Sequence, residues 1–182
     1  MQKRSHTLLA SALLRGENGF DARRFELAFL FGSFQPDCNP LSYLKGSLRA
    51  YKFRGHNYTN SQRYINAHIE KLQRRSRWTM WQYYTLGKLT HYLADAFTYP
   101  HNEDFPDGML DHHRYETELR LYLAAYLAHR ALRRRAACRD LAAAIAELHR
   151  QYMSDPSDLR RDAWYILQAT ELLMAGCLPA AA

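Results

Sequence analysis

At 182 residues and 47% hydrophobic content, the chain has the length of one domain with a real core, and its composition argues against disorder. No apolar run approaches the length of a bilayer span. The formal charge of +7 is concentrated in two clusters, Arg74, Arg75 and Arg77, then Arg130, Arg133, Arg134, Arg135 and Arg139, which would attract phosphates, nucleic acid or an anionic membrane surface unless they are simply solvated helix faces.

The N-terminal stretch MQKRSHTLLASALLRGENG sets basic residues before apolar ones, as a secretory leader does. Its apolar part, Thr7 to Leu14, is short and broken by Ser11, and Arg15 and Glu17 stand where a small-residue cleavage site belongs, so it reads as a helix instead. Three widely spaced cysteines, Cys38, Cys138 and Cys177, read as reduced thiols and predict a cytoplasmic protein.

Helical periodicity dominates, and no segment alternates like a half-buried strand. The first helix is predicted over about His6 to Leu14, capped by Ser5. Asp21 is positioned to cap a second, Ala22 to Phe31, with Phe25, Leu27, Phe29 and Leu30 on a broad apolar face. Gly32 and Ser33 are expected to end it, and Pro36 and Pro40 to keep the following stretch irregular. Asn60 and Ser61 open a third helix reaching Arg75, with Ile65, Ile69 and Leu72 in register. A long helix from about Thr79 to Phe97 stops near Pro100, and residues 100 to 108 form an acidic, proline-containing loop. Three more helices are predicted, about Leu110 to Arg135, Asp140 to Met153 and Ser157 to Ala175. The fold expected is all-α: a single helical bundle domain of about seven helices, without internal repeats, around an internal metal cluster.

The chemistry sits in two one-turn pairs. His91 and Asp95 are four residues apart, on one face of a helix. His112 and Glu116 repeat that spacing on the next helix, with His101 between the pairs, just past Pro100. One such pair is more often a surface hydrogen bond than a metal site. Two pairs on successive helices are much harder to obtain by accident. Leu89, Leu93, Ala94 and Phe97 look like core, so His91 and Asp95 should point inward, where a charge needs a partner or a metal. Imidazole with carboxylate is a ligand mix that zinc accepts. His6, Asp37 and His56 are weaker candidates upstream. His68, His129 and His149 lack a matching carboxylate and read as structural, while His113, about 100° round the helix from His112, suits solvent or a supporting role. Cys38 is left out of the site as a lone thiol.

The stretch Tyr84-Thr-Leu-Gly87-Lys-Leu-Thr-His91-Tyr-Leu-Ala-Asp95, followed by Pro100-His101, resembles the bacterial zinc-dependent phospholipase C family, a helical fold related to the single-strand nucleases of the S1/P1 type. His112-His-Arg-Tyr115-Glu116 is similar to a later family motif, and so are Gly32-Ser-Phe-Gln-Pro36-Asp37 and Arg54-Gly55-His56. The resemblance runs from about His6 to Arg120. It implies that Asp37, His56, His91 and Asp95 bind one zinc and that His101, His112 and Glu116 bind a second. It also implies a third ion, held by His6 with Asp95 bridging. In secreted members the third ion is also held by the amine and carbonyl of an N-terminal tryptophan, whereas this chain has Met1 five residues before His6. The cofactor expected is therefore two zinc ions, or three. Cys38 stands where the secreted enzymes place an aromatic at the choline pocket, and Phe53 is the residue here that could line such a pocket.

The activity implied is phosphoester hydrolysis: zinc neutralises the phosphate and lowers the pKa of its bound water toward about 7, and the resulting hydroxide attacks phosphorus. Asp37 would ligate metal and also accept the proton of the attacking water. Two rivals are a single-strand nuclease, with Trp81, Tyr83, Tyr84 and the arginines as a stacking and steering surface, and a non-catalytic, metal-stabilised binding module. The substrate expected is a phosphoester, either a lipid headgroup or a nucleotide.

Overall fold

The computed structural model describes residues 1–38, 58–102, 109–130, 132, 136 and 138–179, and every regular element among them is helical, as the periodicity predicts. The elements are α1 (Lys3–Gly16), α2 (Arg23–Cys38), α3 (Tyr58–Gln73), α4 (Met80–Ala96), a 3-10 turn (Tyr99–His101), α5 (Met109–Ala128), α6 (Leu141–Tyr152) and α7 (Leu159–Cys177). Phe53 and His56, with Arg133, Arg134 and Arg135, lie outside the described residues.

Helix α4 is the axis of the bundle and packs against α1, α2, α3 and α7. Its start is fixed by a capping box: the Thr79 hydroxyl accepts from the Trp81 amide, and the Gln82 side chain accepts from the Thr79 amide at 2.9 Å. Leu86, Leu89, Leu93, Ala94 and Phe97 are fully buried along it. Asp140 and Asp158 cap α6 and α7, accepting from Ala143 N at 2.9 Å and Arg161 N at 2.7 Å. The buried stripe Ala163, Ile166, Leu167, Ala169 and Leu173 then seats α7 in the core.

Three local expectations are corrected. Ser5 is not a cap: α1 begins at Lys3, and Ser5 is buried inside it. Gly32 does not end α2, which continues through Pro36 to Cys38. A Cβ added at Gly32 would stand 2.2 Å from the Tyr84 carbonyl oxygen, and one at Gly87 would stand 2.1 Å from the Phe29 oxygen. Both glycines, each costing about 1 kcal/mol relative to alanine inside a helix, serve the close approach of α2 to α4. That tertiary contact overrides the stop signal. Asp37 therefore sits on the last turn of α2, not in an irregular turn. Thirdly, Tyr83 is buried between Phe25, stacked at 4.6 Å, and Trp78, so it cannot stack on an external base.

Candidate metal centre

Helices α2 and α4 run parallel where they cross: Phe29 faces Gly87, and four residues on Ser33 faces His91. The crossing sets the Ser33 carbonyl 3.0 Å from His91 Nδ1. A carbonyl only accepts, so Nδ1 donates in this contact, and the ring is held with Nε2 turned the other way. That nitrogen faces acids. Nε2 lies 3.2 Å from Asp95 Oδ2 and 3.6 Å from Asp37 Oδ1. Helix α1 brings the His6 ring into a stack on His91, centroids 3.8 Å apart, with His6 Nε2 3.2 Å from Asp95 Oδ1 and 3.9 Å from Asp37 Oδ2. The donor atoms of His6, His91 and Asp95 all lie within 4.8 Å of one another, and these three residues are buried.

A second group follows on the turn and α5. His101 Nε2 is 3.2 Å from Glu116 Oε1, and His112 Nε2 reaches the same oxygen at 3.1 Å. Their donor atoms also fall within 4.8 Å of one another, in a half-buried setting. Asp95 Oδ1, 3.9 Å from His101 Nε2, stands between the two groups. The Met1 nitrogen completes the cluster: it donates to Asp95 Oδ1 at 2.6 Å and lies 2.8 Å from His101 Nε2 and 3.1 Å from Glu116 Oε1.

Electrostatics follow from burial against charge. Burial, reinforced by His91 beside it, lowers the His6 imidazole to about 3, so it is neutral. Burial raises Asp37 to about 6, opposed by His91 and assisted by Asp95. Burial also works against charge on Asp95, but the Met1 ammonium, with His101 and His91, outweighs it and holds the carboxyl well below its usual range. Glu116 is likewise held low against burial by bonds from His101 and His112. Burial opposes the Met1 ammonium too, yet Asp95 and Glu116 keep it at about 10. Asp95 and Glu116 are thus held ionised beside the Met1 ammonium.

Sequence comparison gives the same direction. The family model for zinc dependent phospholipase C matches residues 5–165. The chain belongs to the zinc-dependent phospholipase C family. No curated protein and no solved structure matches it significantly. The family implies a zinc cofactor and a phospholipid substrate, and the donor set here fits zinc on its own terms. It consists of imidazole nitrogens and carboxylate oxygens, and both ring nitrogens of buried His6 and Oδ2 of Asp37 lack a hydrogen bond among the described residues.

Of the sequence-derived site residues, the structure brings together His6, Asp37, His91, Asp95, His101, His112 and Glu116. Elsewhere, His68 stacks on Tyr64 with Nδ1 2.8 Å from its carbonyl, and His149 packs edge-on against Phe97, both away from the cluster. Two contributors escape sequence reasoning. The Ser33 carbonyl is a backbone atom whose role exists only once α2 and α4 cross, and the Met1 nitrogen, set aside in the sequence because no tryptophan carries it, lies among the donors all the same.

Proposed function

We propose that this zinc-dependent phospholipase C family member is a phosphodiesterase acting on a lipid headgroup, with His6, Asp37, His91, Asp95, His101, His112 and Glu116 as its zinc-holding side chains. The observation that carries the reading is the buried acid–imidazole cluster with Asp95 between its two groups. Zinc, when bound, supplies Lewis-acid neutralisation of the phosphate and a water acidified enough to be a nucleophile near neutral pH. The chain's own contribution is to keep the His6 imidazole neutral, to orient His91 through the Ser33 carbonyl, and to exclude bulk water around His6, His91 and Asp95.

Asp37 is the acid best placed to take the nucleophile's proton. Its side chain is partly open, at 16% exposure against 2% for Asp95, so it is the acid of this half that water reaches. A lipid surface is the proposed partner. Exposed Leu27, Phe31, Met80 and Trp81 lie along α2 and α4, with Phe31 stacked on Tyr84, Trp81 edge-on to the same ring and Lys88 5.8 Å from it. Apolar side chains beside a cation suit the boundary of an anionic membrane. The cytoplasm is the proposed location, resting on three free cysteines.

The test is hydrolysis by metal-free and zinc-loaded protein of a short-chain phosphatidylcholine, a phosphatidylethanolamine and single-stranded DNA. Zinc-dependent release of a phosphorylated headgroup supports the reading. Cleavage of DNA alone would move it to the nuclease. Zinc that raises the melting temperature without turnover of any substrate would make the protein a binding module.

A further inference from the structure

We propose that Asp162 is a positioning residue for the His101–His112–Glu116 half of the centre, its buried carboxylate tying the turn that carries His101 to the helix that carries Glu116. The inference rests on the metal-binding reading above. Asp162, near the start of α7, is fully buried and belongs to neither donor group. Its Oδ2 accepts from the Tyr99 amide at 2.9 Å and from the Tyr115 hydroxyl at 2.9 Å. Its Oδ1 accepts from the Tyr152 hydroxyl at 2.7 Å and from the Ser157 hydroxyl. Four donors on one buried carboxylate satisfy a group that would otherwise be costly to enclose.

The geometry of Oδ2 is what distinguishes this group from an ordinary core hydrogen bond. Tyr99 opens the 3-10 turn and stands two residues before His101, while Tyr115 immediately precedes Glu116. A three-residue 3-10 turn has little stability of its own, so an external anchor decides where its histidine projects. Helix α5 can rotate about its axis, and the Tyr115 hydroxyl on Asp162 fixes that rotation, so Glu116, about 100° further round, is aimed at the cluster. The two segments that share one oxygen of Asp162 meet again at the site, where His101 Nε2 and Glu116 Oε1 are 3.2 Å apart. The other half is set by the α2–α4 crossing, where the Ser33 carbonyl meets His91 Nδ1. Partners behind metal ligands typically govern metal affinity by about 10- to 100-fold.

The experiment is a zinc titration of the metal-free full-length chain by calorimetry, repeated with cobalt(II) to follow ligand geometry by its visible absorption. Glu116→Gln identifies which class of sites belongs to the turn and α5. Asp162→Asn tests the carboxylate directly but removes acceptor strength from four donors in the core, so Tyr115→Phe and Tyr152→Phe carry the decision. Tyr115→Phe is expected to weaken the Glu116-dependent class about 10-fold or more and to change its cobalt spectrum, leaving the other class at wild-type affinity. Tyr152→Phe, which deletes a bond to the same carboxylate from a helix without metal ligands, should lower the melting temperature and leave both classes unchanged. Wild-type affinity in Tyr115→Phe, equal weakening of both classes, or the same loss in Tyr152→Phe would overturn the proposal while leaving the metal reading intact. A wild-type chain that takes up no zinc would overturn the metal reading, and the proposal with it.

Discussion

The two halves of the centre are built by different physics. His6 comes from the first turn of α1 and His91 and Asp95 from the last turns of α4; all three are buried, and α4 takes its position from a backbone crossing that only glycine permits at Gly32 and Gly87. His101, His112 and Glu116 come from a short turn and the first two turns of α5, are half-buried, and depend on side-chain bonds reaching in from α7. Rigid packing fixes the first half, and hydrogen bonding fixes the second. The first should therefore fail through steric change and the second through loss of single polar atoms.

The largest effect is expected where the halves meet. Asp95→Asn removes the acid that faces His6, His91 and His101 together, and with it the partner of the Met1 ammonium. Loss of metal assistance worth several kcal/mol predicts at least a ~10²-fold drop in hydrolysis, with zinc content falling in parallel by elemental analysis. Next, Gly87→Ala drives a methyl against the Phe29 carbonyl, 2.1 Å from the new Cβ. Overpacking of this kind costs roughly 3 kcal/mol, and each kcal/mol shifts the melting temperature by about 2–4 °C in a chain of this size. Differential scanning calorimetry should show that shift together with weaker binding in the His91 half. Glu116→Gln should lower the melting temperature less, because Glu116 is nearer the surface, yet weaken zinc in the turn half by about 10-fold or more, measured by calorimetric titration.

The effect with least bearing on the metal lies outside both halves. Burial lowers the His149 imidazole from 6.5 to about 4, against a backbone bond to Ala96. As pH falls, the unfolded chain takes up that proton first, so the stability held above pH 6.5 is lost between about 6.5 and about 4. The shift corresponds to at most about 3 kcal/mol. Urea melts of metal-free His149→Phe should lose that part of the acid sensitivity.

How legible each part was in the sequence follows the same division. Within a helix, spacing is geometry, so His91 with Asp95 and His112 with Glu116 could be paired from the sequence, and the apolar neighbours of His91 announced its burial. Contacts between helices carry no such code. The His6–His91 stack and the Ser33 carbonyl depend on how α1 and α2 lie on α4. Gly32 was misread as a helix stop because its local signal is the same whether a glycine ends a helix or admits another backbone. Asp162 did leave a trace, an acid in register with Ile166, Ala169 and Leu173 on an otherwise apolar stripe. What it holds was not legible, because the two donors that matter for the site, Tyr115 and Tyr99, lie 47 and 63 residues away in the chain. Phe53 rests on the family resemblance alone, and both it and His56, a weak candidate by residue type, lie outside the described residues.

The central claim is that this buried cluster holds zinc. Elemental analysis of the purified protein, wild type beside Asp95→Asn, tests it most directly. With two donor groups sharing Asp95, at least two zinc ions per wild-type chain and a near-complete loss in the variant are predicted. A wild-type chain without metal, or a variant that keeps its full complement, would contradict the account.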